Sequence, residues 1–334
     1  MCLLEKCKKN YTDENDFFVD NVLYYCFQIR FAMKTRREFL KITAAGSASM
    51  LLLGPLSACA SSTIDRKSYG VGLQLYTIRD AIKADLQGSL KKVSDLGYKY
   101  LELANYADGK FYGLAPAEFK KMVSDLGMET ISSHTQVEAK GITLDNAKRM
   151  AEAHARMDVK YCVQPWVNQS DRNVETYKRL IEEWNKVGGI MKDVGIQFGY
   201  HNHDFEFEPM DGIVPYYDLF MPRLDPDLVT MELDVFWAHK AGHDPVEIFE
   251  KYPGRFQLLH IKDMRNQEDS MHETKGTDMC SVGEGVIDFK RIMEARDVAG
   301  TQYIFVEDDS QGNGRPFEGI ESSIKNLTTH ILKS

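Results

Sequence analysis

The chain has 334 residues, with 41 Lys and Arg against 50 Asp and Glu and a formal net charge of −9. An acidic body lacks the electrostatic footprint of a nucleic-acid binder, which excludes nucleic acid as a partner, and 43% hydrophobic residues suit one large core. Of six cysteines, Cys2, Cys7 and Cys26 stand near the start and Cys162 and Cys280 are isolated in the body, so no disulfide framework is expected.

Residues 1–58 read as a leader rather than as fold. From Met33 the chain runs MKTRREFLKITAAGSASMLLLGPLSACASS: a basic segment, small and apolar residues too few to span a bilayer, then Cys59. Thr35–Lys41 resembles a twin-arginine export signal, and Leu56-Ser57-Ala58-Cys59 resembles a bacterial lipobox. These resemblances imply export to the periplasm and lipidation of Cys59, with 59–68 as an anchored linker and the membrane touched only through the lipid. A basic-start signal should open a chain, so residues 1–32 are expected to reflect a misassigned start, with Met33 the true one. Removing 58 residues takes away eight basic and six acidic side chains, so the net charge moves from −9 to −11.

Beyond residue 69, short apolar runs alternate with longer segments of helical period. The spacing predicts strands over Val71–Tyr76, Tyr100–Ala104, Glu129–His134, Lys160–Trp166, Ile196–His203, Val229–Asp234, Phe256–Ile261 and Gln302–Glu307. Helices are predicted over Gly88–Leu96, Pro116–Leu126, Leu144–Met157, Val174–Val194, Pro245–Tyr252 and Phe289–Val298. Strands separated by crossovers throughout 69–334 indicate a single-domain α/β fold, a closed (β/α)8 TIM barrel. Asp95-Leu96-Gly97, Asp125-Leu126-Gly127 and Asp193-Val194-Gly195 place a helix-ending glycine directly before a strand. No Gly-rich dinucleotide loop occurs, so no nicotinamide cofactor is expected.

Polar groups collect where the strands finish. The fifth strand runs into Tyr200-His201-Asn202-His203-Asp204-Phe205-Glu206, the sixth gives Glu232-Leu233-Asp234, the seventh His260-Ile261-Lys262-Asp263 and the eighth Glu307-Asp308-Asp309. Such donors converging at one mouth would repel one another without a cation. Carboxylates with imidazole and no thiolate suit Mn²⁺ first, then Mg²⁺, Co²⁺ or Zn²⁺.

VGLQLYTIRD, GYHNHDFEF, LDVFWAHKAG, LLHIKDM, VGEGVIDF and IFVEDD together resemble the sugar phosphate isomerase/epimerase group of the xylose-isomerase-like TIM barrels, over about residues 69–330. The resemblance implies one divalent metal held by Glu, Asp, His and Glu from strands five to eight. Asp234, His260 and Glu307 take the last three places. At the first the sequence departs from the pattern, and Glu206 is the expected ligand, with His201 or His203 competing. Glu102, His134, Trp166, His201, Trp237 and Lys262 are expected around a sugar, offering apolar plates and hydrogen-bonding groups. His154 and His239 read as solvent-facing or capping.

The activity implied is enolisation of a small-molecule keto-sugar or glycoside. The metal polarises the carbonyl, His203 removes the alpha proton, Lys262 steadies the oxyanion, and Glu206 supports the site. For an exported protein a 3-keto-glycoside lyase or hydratase ranks first, a free keto-sugar epimerase or isomerase second, and a non-catalytic sugar-binding lipoprotein third.

Overall fold

A computed structural model describes residues 71–136, 141–210, 214–265 and 278–332. The export signal, the lipobox with Cys59 and the linker at 59–68 lie outside them. Eight parallel strands close a barrel: β1 (Val71–Gln74), β2 (Tyr100–Leu103), β3 (Glu129–His134), β4 (Tyr161–Gln164), β5 (Gln197–His201), β6 (Val229–Asp234), β7 (Leu258–Ile261) and β8 (Tyr303–Val306). Each strand pairs with its neighbours in sequence, and β8 closes on β1 through Val71↔Ile304, Gly72↔Phe305 and Leu73↔Val306. The main crossover helices are α1 (Leu86–Asp95), α2 (Pro116–Asp125), α3 (Leu144–Ala155), α4 (Val174–Lys192), α5 (Tyr216–Phe220), α6 (Pro245–Lys251), α7 (Phe289–Glu294) and α8 (Pro316–Asn326).

The predicted joints form for the expected reason. Gly97, Gly127 and Gly195 take φ of +97°, +71° and +81°, the left-handed conformation that ends a helix without steric cost to glycine. At the opposite helix ends, Thr143 and Asn146 form a reciprocal capping box on α3, and the Asn173 side chain accepts from Thr176 N at 2.9 Å to start α4. Three predicted strands stop two residues early. β1 ends at Gln74, whose side chain accepts from Tyr76 N at 3.1 Å and starts a 3₁₀ turn over Leu75–Ile78. β4 ends at Gln164 and β5 at His201, leaving Trp166 and His203 on loops. The helix predicted over Phe289–Val298 divides at Ala295 into α7 and a short turn, Arg296–Ala299, closed by left-handed Gly300.

Inward side chains form two layers. The floor is apolar: Ile131, Tyr161, Val163, Leu258 and Phe305 form one buried cluster, with Tyr100 and Tyr303 packed against it. The layer above is polar, and register puts it at one level: Gln74 pairs with Glu102, Glu232 with His201, and Asp234 with His260. Between β2 and β3 the pairing slips, because Leu101 faces Thr130 while Glu102 faces Ser132. Ile131 is thus an extra residue on β3.

After β7, a short antiparallel pair (263–264 with 279–280) leads into a loop gathered by Asp263. Its Oδ1 accepts from Met264 N at 2.8 Å and Ile287 N at 3.2 Å, and its Oδ2 accepts from Gly283 N at 2.9 Å and Gly285 N at 2.8 Å. This accounts for the VGEGVIDF segment. A side chain at Gly285 would place Cβ 2.1 Å from Met264 O and 2.3 Å from Asp263 Oδ1. Gly285→Ala should therefore lower unfolding stability by about 1–3 kcal/mol, the usual cost of overpacking, measured by denaturant titration. An unchanged midpoint would show that the loop is not held in this way.

Candidate metal centre

The polar layer brings together seven of the residues singled out in the sequence: Glu102, His134, His201, Asp234, His260, Lys262 and Glu307. All but His134 are nearly or fully buried. Glu232 joins them from β6, two residues before Asp234 and on the same face of the strand. In the sequence it stands at the end of the sixth strand without an expected role, although strand alternation alone puts it beside Asp234.

His260 is the hub. Its Nδ1 lies 2.8 Å from Glu307 Oε2, and its Nε2 makes a short hydrogen bond to Glu102 Oε2 and lies 3.3 Å from Glu232 Oε2. Burial alone would strip the ring of its proton, but Glu232, Glu102 and Glu307 outweigh it and raise the imidazole well above its ordinary range. His134 follows the same logic: burial disfavours its charge, yet Glu102 and Glu232 raise it, and its Nε2 lies 2.5 Å from Glu232 Oε2. Lys262 is buried among acids, with Nζ 3.0 Å from Asp234 Oδ2, 2.7 Å from Glu307 Oε2 and 3.0 Å from Asp309 Oδ2. Against the cost of burial, those carboxylates hold the ammonium charged.

The carboxylates divide in response. Burial pushes Glu102 up, with help from the negative charge of Glu232, and pushes Asp234 up to about 6. Glu232 and Glu307 are held well below their usual value, because nearby imidazoles, and Lys262 for Glu307, overcome desolvation. Burial and the neighbouring His260 lower His201 and leave it neutral, the form in which imidazole binds a metal.

Two donor groups can hold an ion: Asp234, His260 and Glu307, and His134, His201, Glu232 and His260, the atoms of each lying within 4.8 Å of one another. His201 Nε2 also stands 3.7 Å from Asp234 Oδ2, linking the two. Oxygen and imidazole donors fit a hard or borderline divalent cation. The Oε1 atoms of Glu102 and Glu232 are buried without a hydrogen-bond partner among the described residues, which leaves acceptor capacity directed into the cluster.

A cavity of about 340 Å³ opens above these groups, lined among others by His134, Trp166, His201, His203, Lys262 and Glu307. His203 is held at about 3 by burial and by the Lys262 charge, and its Nδ1 has no hydrogen-bond partner among the described residues. Its ring centroid lies 5.4 Å from that of Trp237, which packs beside the site; the Trp237 ring also lies 5.6 Å from Lys262 Nζ. Glu206, expected as a ligand, is turned elsewhere. The Tyr200 hydroxyl donates to its Oε1 at 2.5 Å and the His203 N–H to its Oε2 at 2.8 Å. Because the strand ends at His201, alternation no longer aims side chains five residues on, and the 3₁₀ turn Phe205–Phe207 directs this carboxyl into the protein. His154 differs from expectation too: it is buried, with its ring nitrogens 2.8 Å from Thr135 Oγ1 and 2.8 Å from Met150 O.

The chain belongs to the xylose isomerase-like TIM barrel family, which it matches over residues 90–330. A sugar phosphate isomerase/epimerase from Parabacteroides distasonis is 30% identical and superposes with a TM-score of 0.68, covering 82% of this chain and 99% of its own. An inosose dehydratase from Lacticaseibacillus casei is 30% identical over 155 residues, 43% of this chain and 51% of the relative, so the chain spans about half the length of the curated relatives it matches. The IOLI protein, crystallised with a bound zinc atom, shares the fold at 17% identity and a TM-score of 0.62, over 79% of this chain and 98% of its own.

Glu206 offers a test that is independent of metal. Burial raises its carboxyl from 4.5 to about 8, so the folded protein keeps a proton that the unfolded chain releases. Its contribution to stability is complete below about pH 4.5 and is lost as pH rises through about 8. Glu206→Gln cannot ionise, so from pH 5 to 9 the wild type should lose on the order of a few kcal/mol relative to the variant. Denaturant midpoints measured across that range check this. Parallel curves for the two proteins would mean that the carboxyl is already ionised in the fold.

Proposed function

We propose that this chain is a metal-dependent sugar-modifying enzyme that removes the proton alpha to the carbonyl of a keto-sugar, its substrate a 3-keto-glycoside that then loses its beta substituent. One observation carries the reading: an unprotonated imidazole, His203, and a buried ammonium, Lys262, line one cavity with Glu307, which belongs to the Asp234–His260–Glu307 donor group buried directly behind it. A base, an oxyanion partner and a cation site in one concave space is the set that enolisation needs.

Asp234, His260 and Glu307, with His201 beside Asp234, would hold the ion. When bound, a divalent metal supplies Lewis-acid polarisation of the sugar carbonyl and so acidifies the neighbouring C–H. His203, whose side chain lines the cavity, takes the proton from carbon two. The C–H electron pair moves toward the carbonyl carbon as charge grows on the carbonyl oxygen, where the Lys262 ammonium faces it. As the charge collapses back, the carbon two to carbon one double bond forms and the bond to the substituent on carbon one breaks. The leaving oxygen takes that electron pair and then a proton. The product is an unsaturated keto-sugar, which the addition of water converts to the hydrated sugar. Trp166, 39% exposed, offers an apolar plate to the ring face.

Similarity to an inosose dehydratase supports elimination, since losing water beside a ketone follows the same course. Similarity to an isomerase/epimerase supports the shared first step and keeps a second reading in view, in which the proton returns to carbon. Glu307 and Asp309 line this cavity beside Lys262, within 2.7 and 3.0 Å of its Nζ, and a phosphate placed there would meet these carboxylates, which favours an unphosphorylated substrate.

Asp234→Ala and Glu307→Ala should each lose bound divalent metal by elemental analysis, with turnover falling at least about a hundredfold while the barrel stays folded by circular dichroism. Full turnover of a 3-keto-glycoside panel after chelation would overturn the metal assignment. Separately, His203→Asn should keep metal and bind substrate but lose about a hundredfold or more in rate, the usual worth of a positioned base. In D₂O the lyase releases the substituent; recovery of an intact glycoside carrying deuterium at carbon two would establish the epimerase reading instead. A full rate in His203→Asn with a lost rate in His201→Asn would move the base to His201.

A further inference from the structure

Beside the metal centre lies a second and larger cavity, about 500 Å³, with no part in the chemistry just described. We infer that it is a subsite for a second, neutral sugar ring, the leaving group of a disaccharide-type substrate whose oxidised ring occupies the metal centre. The inference rests on the keto-glycoside reading and specifies its substrate class.

The two cavities are continuous. Gln136 and Trp166 line both cavities, so the two spaces meet over these side chains at the ends of β3 and β4. The smaller cavity already has the size of a small ligand site. A substrate of one ring leaves the larger one without a role, whereas a glycosidic bond near the junction fills both.

Trp166 is held by its backbone: Gln164 Nε2 donates to Trp166 O at 2.6 Å, and Gln164 Oε1 accepts from Ile142 N at 2.7 Å. One buried amide thus ties the loop before α3 to the loop after β4. The indole is 39% exposed at this position and offers an apolar face over the junction of the two cavities, the kind of plate on which a sugar ring stacks.

Asp145, Asp171 and Glu183 line the larger cavity against a single Arg179, whose Nη1 lies 3.2 Å from Glu183 Oε2. An acidic surplus repels a phosphate or carboxylate substituent. Carboxylates and an arginine edge suit the alternating donors and acceptors of sugar hydroxyls. A flat apolar group would leave these polar atoms unpaired.

The test compares methyl 3-keto-glucoside with 3-keto-glucosyl disaccharides of differing linkage, using metal-loaded protein. At least one disaccharide should exceed the methyl glycoside in kcat/KM by about tenfold or more, roughly the worth of one or two net hydrogen bonds. Ser170→Trp, which fills the larger cavity from its exposed 3₁₀ turn, and Arg179→Ala should abolish that advantage through KM while leaving the methyl glycoside rate unchanged. A wild-type advantage below about twofold for every disaccharide, or an advantage that survives Ser170→Trp, overturns the subsite. If no glycoside is turned over, the proposed reaction fails. Calorimetric binding of the same compounds then decides the subsite alone: tighter disaccharide binding that Ser170→Trp removes supports it, and equal affinities overturn it.

Discussion

Four buried carboxylates, Glu102, Glu232, Asp234 and Glu307, share the centre of one barrel, and their mutual repulsion is the constraint around which the rest is arranged. Uncompensated, each would carry a desolvation penalty of several kcal/mol. Compensation comes from His260 and Lys262, which the acids around them hold well above their ordinary values, and from His134, which Glu102 and Glu232 raise. His260 stands between two groups of acids, Nδ1 toward Glu307 and Nε2 toward Glu102 and Glu232. Its proton and a metal ion are alternative answers to one electrostatic problem. Loading with metal should therefore release protons, and the affinity should rise with pH.

The two interior layers divide the work of the barrel. Below, Ile131, Tyr161, Val163, Leu258 and Phe305 supply dry packing, as a stable barrel floor requires. Above, Gln74, Glu102, His201, Glu232, Asp234 and His260 form a polar and ionic level. The loops follow the same division. Asp263 spends its carboxylate on four backbone N–H groups, fixing the stretch that follows Lys262, whereas Trp166 and His203 stand on loops beyond the strand ends, where side chains reach a ligand.

The barrel was legible because its signals are local. A strand of four to six residues, a helix and a left-handed glycine each leave a mark within a few positions, and Gly97, Gly127 and Gly195 adopt the predicted conformation. Site residues were legible where they stand within a strand or directly after it. Asp234, His260 and Glu307 sit at such positions, and there alternation fixes direction. Glu206 stands five residues beyond the end of β5, where the chain has left the sheet, so sequence distance no longer carries an orientation. Competition for the carboxyl then decides, and the Tyr200 hydroxyl and the His203 N–H win it. The adjoining cavity was not legible at all, since it arises where loops from β3 and β4 meet the flanks of α3 and α4.

The slip between β2 and β3 has a consequence for how such a barrel can change over time. Ile131 belongs to the floor and His134 to the mouth, yet three residues separate them, an odd number that would put them on opposite faces of a regular strand. The extra residue turns that odd spacing into an even one. A shortening by one position at this point would force a choice between the packed floor and the imidazole. Loops at the mouth can lengthen or shorten without such a penalty. Diversification in this architecture is therefore channelled: substrate preference can drift through the loops, while β3 must keep its irregularity for as long as a histidine is needed at its end.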